Sequence, residues 1–399
     1  MPIYEGPILA SANKVRRIVL AAAMRKVKDE TGKSSYRQAW ELWRLSRGPG
    51  EMIHDEYYLF GLYDDRYSWK EKTEFGTSAA FKALDRRLFG STEKLHLRLL
   101  NNKLLTGAVL ERAGCPTPPI IGLAGRTQHP SKFEAIGSVD NLVKFLATVE
   151  LPVFGKPMHG SLGLGVMSLF DRSEDGKIGT MGDGREVSLE QLATEILRLY
   201  PDGYIFQPFV ENHPDIAEFN PRAAQAVRFI TIKGAGPPEL LYTIWRIPGR
   251  KALSDNNSTA GRQVVAAIDH KTGVAIRVRG PHPFEDMDGR DDQPESGLRI
   301  TGRKLPFYEE SSDLVCDMHL LFPDHPILGW DVVQSPNGPV ILECNGTPLH
   351  FSYQLAFGRG FMNPDIMAKL RPIIEKNSPR FIEKLRRMGA EYQNKGRPR

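Results

Sequence analysis

Cysteine is scarce: Cys115, Cys316 and Cys344 are the three in 399 residues, scattered, odd in number and without a C-x-x-C spacing. That excludes a disulfide framework and a thiolate zinc site, and points to a reducing compartment. No apolar run approaches the ~20 residues that a membrane-spanning helix needs. Neither sign of charge dominates, because 53 Lys and Arg face 48 Asp and Glu for a net +5, too mild an excess to call for nucleic acid without a recognition motif. The opening stretch MPIYEGPILASANKVRRIVLAAAMRK carries basic residues on both sides of a short apolar core with no cleavage site after it, so it reads poorly as a signal peptide. A cytoplasmic protein is expected. No Gly-x-Ser-x-Gly elbow, H-x-x-x-H spacing or internal repeat is present, no Gly-Lys-Ser/Thr closes the glycine-rich stretch at 160–165, and the cysteines lack a local thiol-protease motif.

What is present is an ordinary globular composition, 41% apolar and 25% charged, in a chain long enough for two or three domains at roughly 150 residues each. Residues 1–95 read as a helical N-terminal region, with helices predicted over Ser11–Glu30, Tyr36–Arg47, Met52–Leu62 and Ser78–Leu88, broken by Gly48-Pro49-Gly50 and Gly76. Lys14, Arg16, Arg17, Arg25, Lys26 and Lys28 on the first helix could suit an anionic membrane surface; the plainer reading is a solvated face of a packed helix. Residues 96–375 alternate short β-branched runs with helices, which signals an α/β or α+β body. Asn101-Asn102 is placed to cap a helix from Lys103, and Gly114 to end it. The stretch Gly280–Gly297, acidic and rich in Gly and Pro, is expected to be a mobile surface loop. Residues 376–399 read as a basic C-terminal helix and tail.

Three clusters could carry chemistry. In VFGKPMHGSLGLGVMSLF, Gly160, Gly163 and Gly165 lie between two strand-like runs, so a glycine loop between antiparallel strands is expected. Its backbone N–H groups suit phosphate oxygens, and Lys156 before it offers a point charge. A structural hairpin with a floppy tip fits the glycines equally well. In LGWDVVQSPNGPVILECNGTP, Glu343 and Asn345 project from one face of a strand while Cys344 points the other way. Two oxygen donors on one face suit Mg²⁺, and Asp331 on the partner strand is the natural third ligand. That pairing requires Asp331 opposite Glu343, hence an odd hairpin loop centred on Asn337; a two-residue Asn337-Gly338 loop would place it opposite Cys344. The alternative is a solvated hairpin face. Third, Arg228 and Arg246 lie on otherwise apolar strand faces. As cross-strand neighbours they would need an anion between them, either a phosphate or substrate carboxylate or, equally, Asp or Glu partners of their own. His159, His213, His319 and His350 read as ordinary polar or core residues.

In order and spacing, Lys103 opening a helix that ends in AGCPTPP, FGKPMHGSLGLGV, FQPFVEN, VRFITI and GWDVVQSPNGPVILECNGTP resemble the ATP-grasp superfamily. Within it, ENHPDIAEFNP, VRFITI, WRIPG, SDNN, AAIDHKTG and GWD…GPVILECN are similar to the sugar-transfer-associated ATP-grasp domain, related to alpha-L-glutamate ligases. The resemblance implies two α+β subdomains gripping ATP with Mg²⁺ at the phosphates, behind a helical N-terminal extension. Carried over position by position, it implies that Lys103 and Lys156 contact the nucleotide and that Gly160, Ser161, Gly163 and Gly165 form the phosphate loop. Gln207, Phe209 and Val210 would receive adenine, with Glu211 or His213 near the ribose. Arg228 and Arg246 would face the reacting phosphate, Asn256 would support the substrate or metal side, and Asp331, Glu343 and Asn345 would hold Mg²⁺. The hinge departs from the usual pattern, since Gln207-Pro208 stands where an acidic pair is common and Pro208 has no N–H to donate.

The function implied is an ATP- and Mg-dependent ligase that activates a carboxylate as an acyl phosphate and joins it to an amine, in tailoring of a cell-surface glycan or related conjugate. Two rivals keep the nucleotide site: a phosphotransferase acting on a hydroxyl, and a non-catalytic ATP-binding module that recruits partners or membrane through the basic N-terminal helix.

Overall fold

Thirteen strands among the described residues sort into two sheets, and the charged side chains of interest stand where the sheets approach one another. The computed structural model describes residues 3–9, 18–90, 99–125, 135–160, 163–250, 252 and 263–377. Lys14, Arg16, Arg17, Ser161, Asp255, Asn256 and nearly all of the 376–399 tail therefore lie outside the described residues.

The smaller lobe holds strands β1 (Gly122–Ala124), β2 (Ala135–Ile136), β3 (Val153–Pro157), β4 (Met167–Arg172), β5 (Ile178–Met181), β6 (Glu186–Ser188) and β7 (Tyr204–Pro208). Their order is β2-β1-β7-β3-β4-β5-β6, with β1 and β2 parallel and the other neighbours antiparallel. Helices Val139–Thr148 and Leu189–Leu199 pack on it; Ser138 and Ser188 accept from the backbone N–H of Asn141 and Gln191, satisfying donors that a helix start leaves unpaired. The β5–β6 hairpin escaped the sequence reading because its strands are short and Gly182 and Gly184 interrupt their pattern.

The larger sheet runs β11 (Ala275–Arg279), β10 (Val264–Ile268), β9 (Glu239–Ile247), β8 (Ala226–Ile232), β12 (Ile327–Ser335) and β13 (Gly338–Asn345), antiparallel throughout. Both faces are covered, which is why its strands read as near-continuous apolar runs. One face, with Phe229, Trp245, Trp330 and Val332, packs under helix Tyr308–His319. The other, with Ile230, Tyr242, Ile244 and Val265, shares a single core with the N-terminal helices and with helices Phe351–Phe357 and Pro364–Asn377. The N-terminal helices are thus the roof of the large sheet.

Two expectations change here. Ile18 and Val19 are not helical and helix Leu20–Thr31 follows them, with an exposed face that mixes signs, as in the Lys26–Glu30 pair. Residues 3–9 belong elsewhere: Tyr4 N–H donates to Glu186, and the buried Glu195 carboxylate accepts the N–H groups of Ile8 and Leu9 at 2.9 and 3.1 Å on the small lobe. The Gly280–Gly297 stretch, expected to be mobile, is knitted to the sheet. Arg290 N–H donates to Val278, its guanidinium pairs with Asp286 and Asp292, and Phe284 packs on Tyr58 and Tyr63.

Candidate functional site

The β12–β13 hairpin sets the site's geometry. Ser335 pairs with Gly338, so the loop is the two residues Pro336 and Asn337, even in length rather than odd. An even loop in this register alone would put Asp331 opposite Leu342. Instead the register shifts between Asp331 and Val332, leaving Leu342 as an extra residue, and Asp331 pairs with Glu343. The pairing was foreseen and its cause was not: a bulge supplies the parity that the loop does not.

Across the sheet, Glu343, Asp331 and Arg228 form one row, Asp331 being paired with both others. Asn345, opposite Gly329, shares their face. Arg228 lies opposite Ile244, two residues short of Arg246, so the two arginines are diagonal neighbours. The anion between them is Asp331. Arg228 donates Nε to Oδ1 at 2.7 Å and a terminal nitrogen to Oδ2 at 2.6 Å, and Arg246 reaches Oδ1 at 2.6 Å. Burial alone would raise the Asp331 carboxyl, but the two guanidinium groups outweigh it and hold the group well below the ordinary carboxylate range. Of the two readings of the arginine pair, the structure adopts the one with a protein carboxylate.

The small lobe brings cations to the same place. Lys156 on β3, 7% exposed, donates to the carbonyl of the bulged Leu342 at 3.2 Å. Lys103, opening helix Lys103–Arg112 behind an Asn102 cap, donates to the carbonyl of Gly160 at 2.6 Å and stands 3.6 Å from Glu343 Oε1. Burial pushes the Lys156 ammonium down to about 8; Glu343 and Asp331 pull it up and Lys103 pulls it further down.

The glycine loop links antiparallel β3 and β4 as expected. Gly160, Gly163 and Gly165 take φ of 132°, 66° and 72°. At Gly165 a Cβ would also fall 2.0 Å from the Tyr200 hydroxyl, so any other residue there is strained and must displace that ring.

The hinge is bound into the fold. Gln207 is buried, with Nε2 donating to Pro118 at 2.7 Å, and Phe209 N–H donates to Pro152 while its ring meets Phe170. Val210 is half-buried and Glu211 exposed. His213 caps the Pro214–Ala217 turn, and its backbone N–H donates to Gln334. Among the other histidines, His319 is a satisfied core residue between Thr231 and the His325 carbonyl. His350 lies buried against Tyr242 at 2.8 Å, a contact across 108 residues of sequence that no local pattern signals.

Among the described residues no three His, Cys, Asp or Glu side chains gather into a metal-ligating group. The oxygen donors available are two carboxylates and an amide. The Glu343 side chain is 27% exposed, and Asn345 Nδ2 is buried without a hydrogen-bond partner. Oxygen-only donors beside two ammonium groups fit Mg²⁺ with a polyphosphate: Glu343 and Asn345 would hold the ion, and Asp331 would have to share an oxygen with its arginines.

The family described as sugar-transfer associated ATP-grasp matches residues 90–367. Among solved structures the chain is similar to the D-alanine-D-alanine ligase from Coxiella burnetii, at 13% identity and TM-score 0.37, over 75% of this chain and 62% of that one. It is also similar to the L-amino acid ligase from Bacillus licheniformis, at 14% identity and TM-score 0.36, over 70% and 48%. A third is the N5-carboxyaminoimidazole ribonucleotide synthetase from Thermotoga maritima, at 10% identity and TM-score 0.32, over 67% and 52%. This chain thus spans less than two thirds of the length of each. Among curated proteins nothing matches.

Proposed function

This chain belongs to the sugar-transfer associated ATP-grasp family, and from that premise we propose that it is an ATP- and Mg-dependent ligase joining a carboxylate to an amine or similar nucleophile. The observation that carries the reading is the convergence of Lys156 and Lys103 on the strand that presents Glu343 and Asn345. Ammonium groups beside acidic and amide oxygens suit a triphosphate and its counter-ion together.

In this reading Lys156 and Lys103 bind phosphate oxygens, giving up Leu342 and Gly160 carbonyls for stronger charged acceptors. Glu343 and Asn345 hold Mg²⁺, which when bound neutralises charge on the phosphates. Arg228 and Arg246, held by Asp331, orient the incoming carboxylate. A carboxylate oxygen attacks the γ-phosphorus; the new O–P bond forms as the bridge to the β-phosphate breaks, releasing ADP. The amine nitrogen then attacks the acyl carbon, phosphate leaves with the C–O electron pair, and the amine proton passes to solvent. Positioning and electrostatics suffice, with no covalent protein nucleophile. The family's description supports a glycan or glycoconjugate precursor as the acceptor class.

The test is mass spectrometry of products formed from ATP and a panel of sugar-linked carboxylates and amines. ADP, phosphate and a product equal to both substrates less water support the proposal. ADP with a phosphorylated acceptor would replace it with a phosphotransferase; nucleotide binding without turnover across the panel would favour a binding module.

A further inference from the structure

Helix Ser35–Ser46 turns an unusual face outward. Tyr36, Trp40 and Trp43 are 83%, 43% and 55% exposed, interleaved with the exposed Arg44 and Arg47 and with Arg37, which pairs with Asp65 at 3.3 Å. Two guanidinium groups lie on rings: Arg44 is 4.4 Å from the Trp69 centroid and 5.2 Å from that of Trp40, and Arg47 is 4.3 Å from that of Trp43. The helix's single carboxylate, Glu41, points inward, bound by Lys33, Lys72 and Tyr57. None of this touches the nucleotide site.

We propose that this face docks the protein peripherally on an anionic phospholipid surface. Trp and Tyr favour the membrane–water interface, where an apolar ring body can sink while its polar edge stays wet. Arginines beside them meet lipid phosphates. A second protein fits less well, because the centre of a stable interface is stripped of charge, and here guanidinium groups lie directly over the rings. No described helix is long and apolar enough to cross a membrane, so the attachment would be to the surface.

The full-length protein is sedimented with vesicles of phosphatidylcholine alone and of an equal mixture with phosphatidylglycerol. Binding is expected to the mixed vesicles only, reversed by salt. Trp245 and Trp330 are fully buried, so an accompanying blue shift of tryptophan emission reports on the outer rings. Trp40→Ser/Trp43→Ser should reduce the shift to whatever the half-buried Trp69 contributes. Arg44→Ser/Arg47→Ser should weaken binding about thirtyfold, each surface cation being worth roughly a factor of five. Unchanged thermal melting and near-ultraviolet circular dichroism show that both variants fold. No binding to mixed vesicles at low salt overturns the proposal. So does undiminished binding by both variants, or loss on neutralising Lys14, Arg16 and Arg17 while the tryptophan variant still binds. A dimer that dissociates in the tryptophan variant, without vesicle binding, would assign the face to self-association.

Discussion

Asp331 is the residue on which the site's order depends, because it lies buried between two buried or half-buried guanidinium groups. Asp331→Asn leaves those charges uncompensated and should cost about 3–5 kcal/mol, read as a lower melting temperature. The wild-type pair also makes stability depend on pH. A carboxyl depressed in the folded state releases its proton there more readily than in the unfolded chain. The stabilisation is therefore complete above the ordinary Asp range near pH 4 and lost progressively as pH falls below it, whereas the Asn variant lacks that component. Glu343 is more open, so Glu343→Gln should retain the fold and abolish Mg-ATP turnover; unchanged turnover removes it from the metal-binding role. Lys156→Met should weaken nucleotide binding by roughly thirtyfold, the worth of a charged hydrogen bond, by calorimetry. Because the ammonium titrates near 8, wild-type affinity in the free protein should fall as pH rises through that value, and the Met variant should lose this dependence. The linked stability runs the opposite way: between about 8 and the ordinary Lys value the unfolded chain binds the extra proton, so stability rises with pH there.

At the scale of elements, a bulge and a glycine loop prepare the site. Leu342 is extra in its strand, and its carbonyl accepts from the Lys156 ammonium. Loop arithmetic alone could not find this, since a bulge changes parity without leaving a mark in the turn sequence. The glycine loop is the opposite case. Its density of glycines announces unusual backbone, and the φ values bear that out. Gly165→Ala meets both a left-handed φ and the Tyr200 ring, so it should destabilise the small lobe by about 1–3 kcal/mol. Faster hydrogen exchange in β3 and β4 would report it, while protection equal to wild type would mean that the loop can relax.

At the scale of the whole molecule, cysteines and core argue together. Cys115 and Cys344 are buried and Cys316 is half-buried, with burial pushing the Cys115 and Cys316 thiols up to about 12 and 11. The folded protein should therefore melt at the same temperature with and without reductant and react slowly with thiol reagents. All three thiols should become reactive in denaturant. The N-terminal helices, legible as helices from their apolar spacing, were not legible as a roof: Tyr57, Tyr58 and Phe60 share one core with the large sheet and the helices after residue 350, Phe60 packing on Phe351. Residues 3–9 likewise reach across more than 180 positions to Glu195.

Local chemistry settles what the sequence alone determines here. Strand alternation puts Glu343 and Asn345 on one side, side-chain caps and glycines start and stop helices, and scarce cysteine leaves a core held without disulfides. These depend on neighbours a few positions apart, so they survive without a fold. Which cation meets which anion depends on the strand order of the large sheet and on how the two sheets approach. Tertiary structure decided that Asp331 serves Arg228 and Arg246, that Lys156 rests on the Leu342 carbonyl, and that Tyr242 meets His350. Burial fixes those choices, because a charge or polar group removed from water must take the partner that packing delivers.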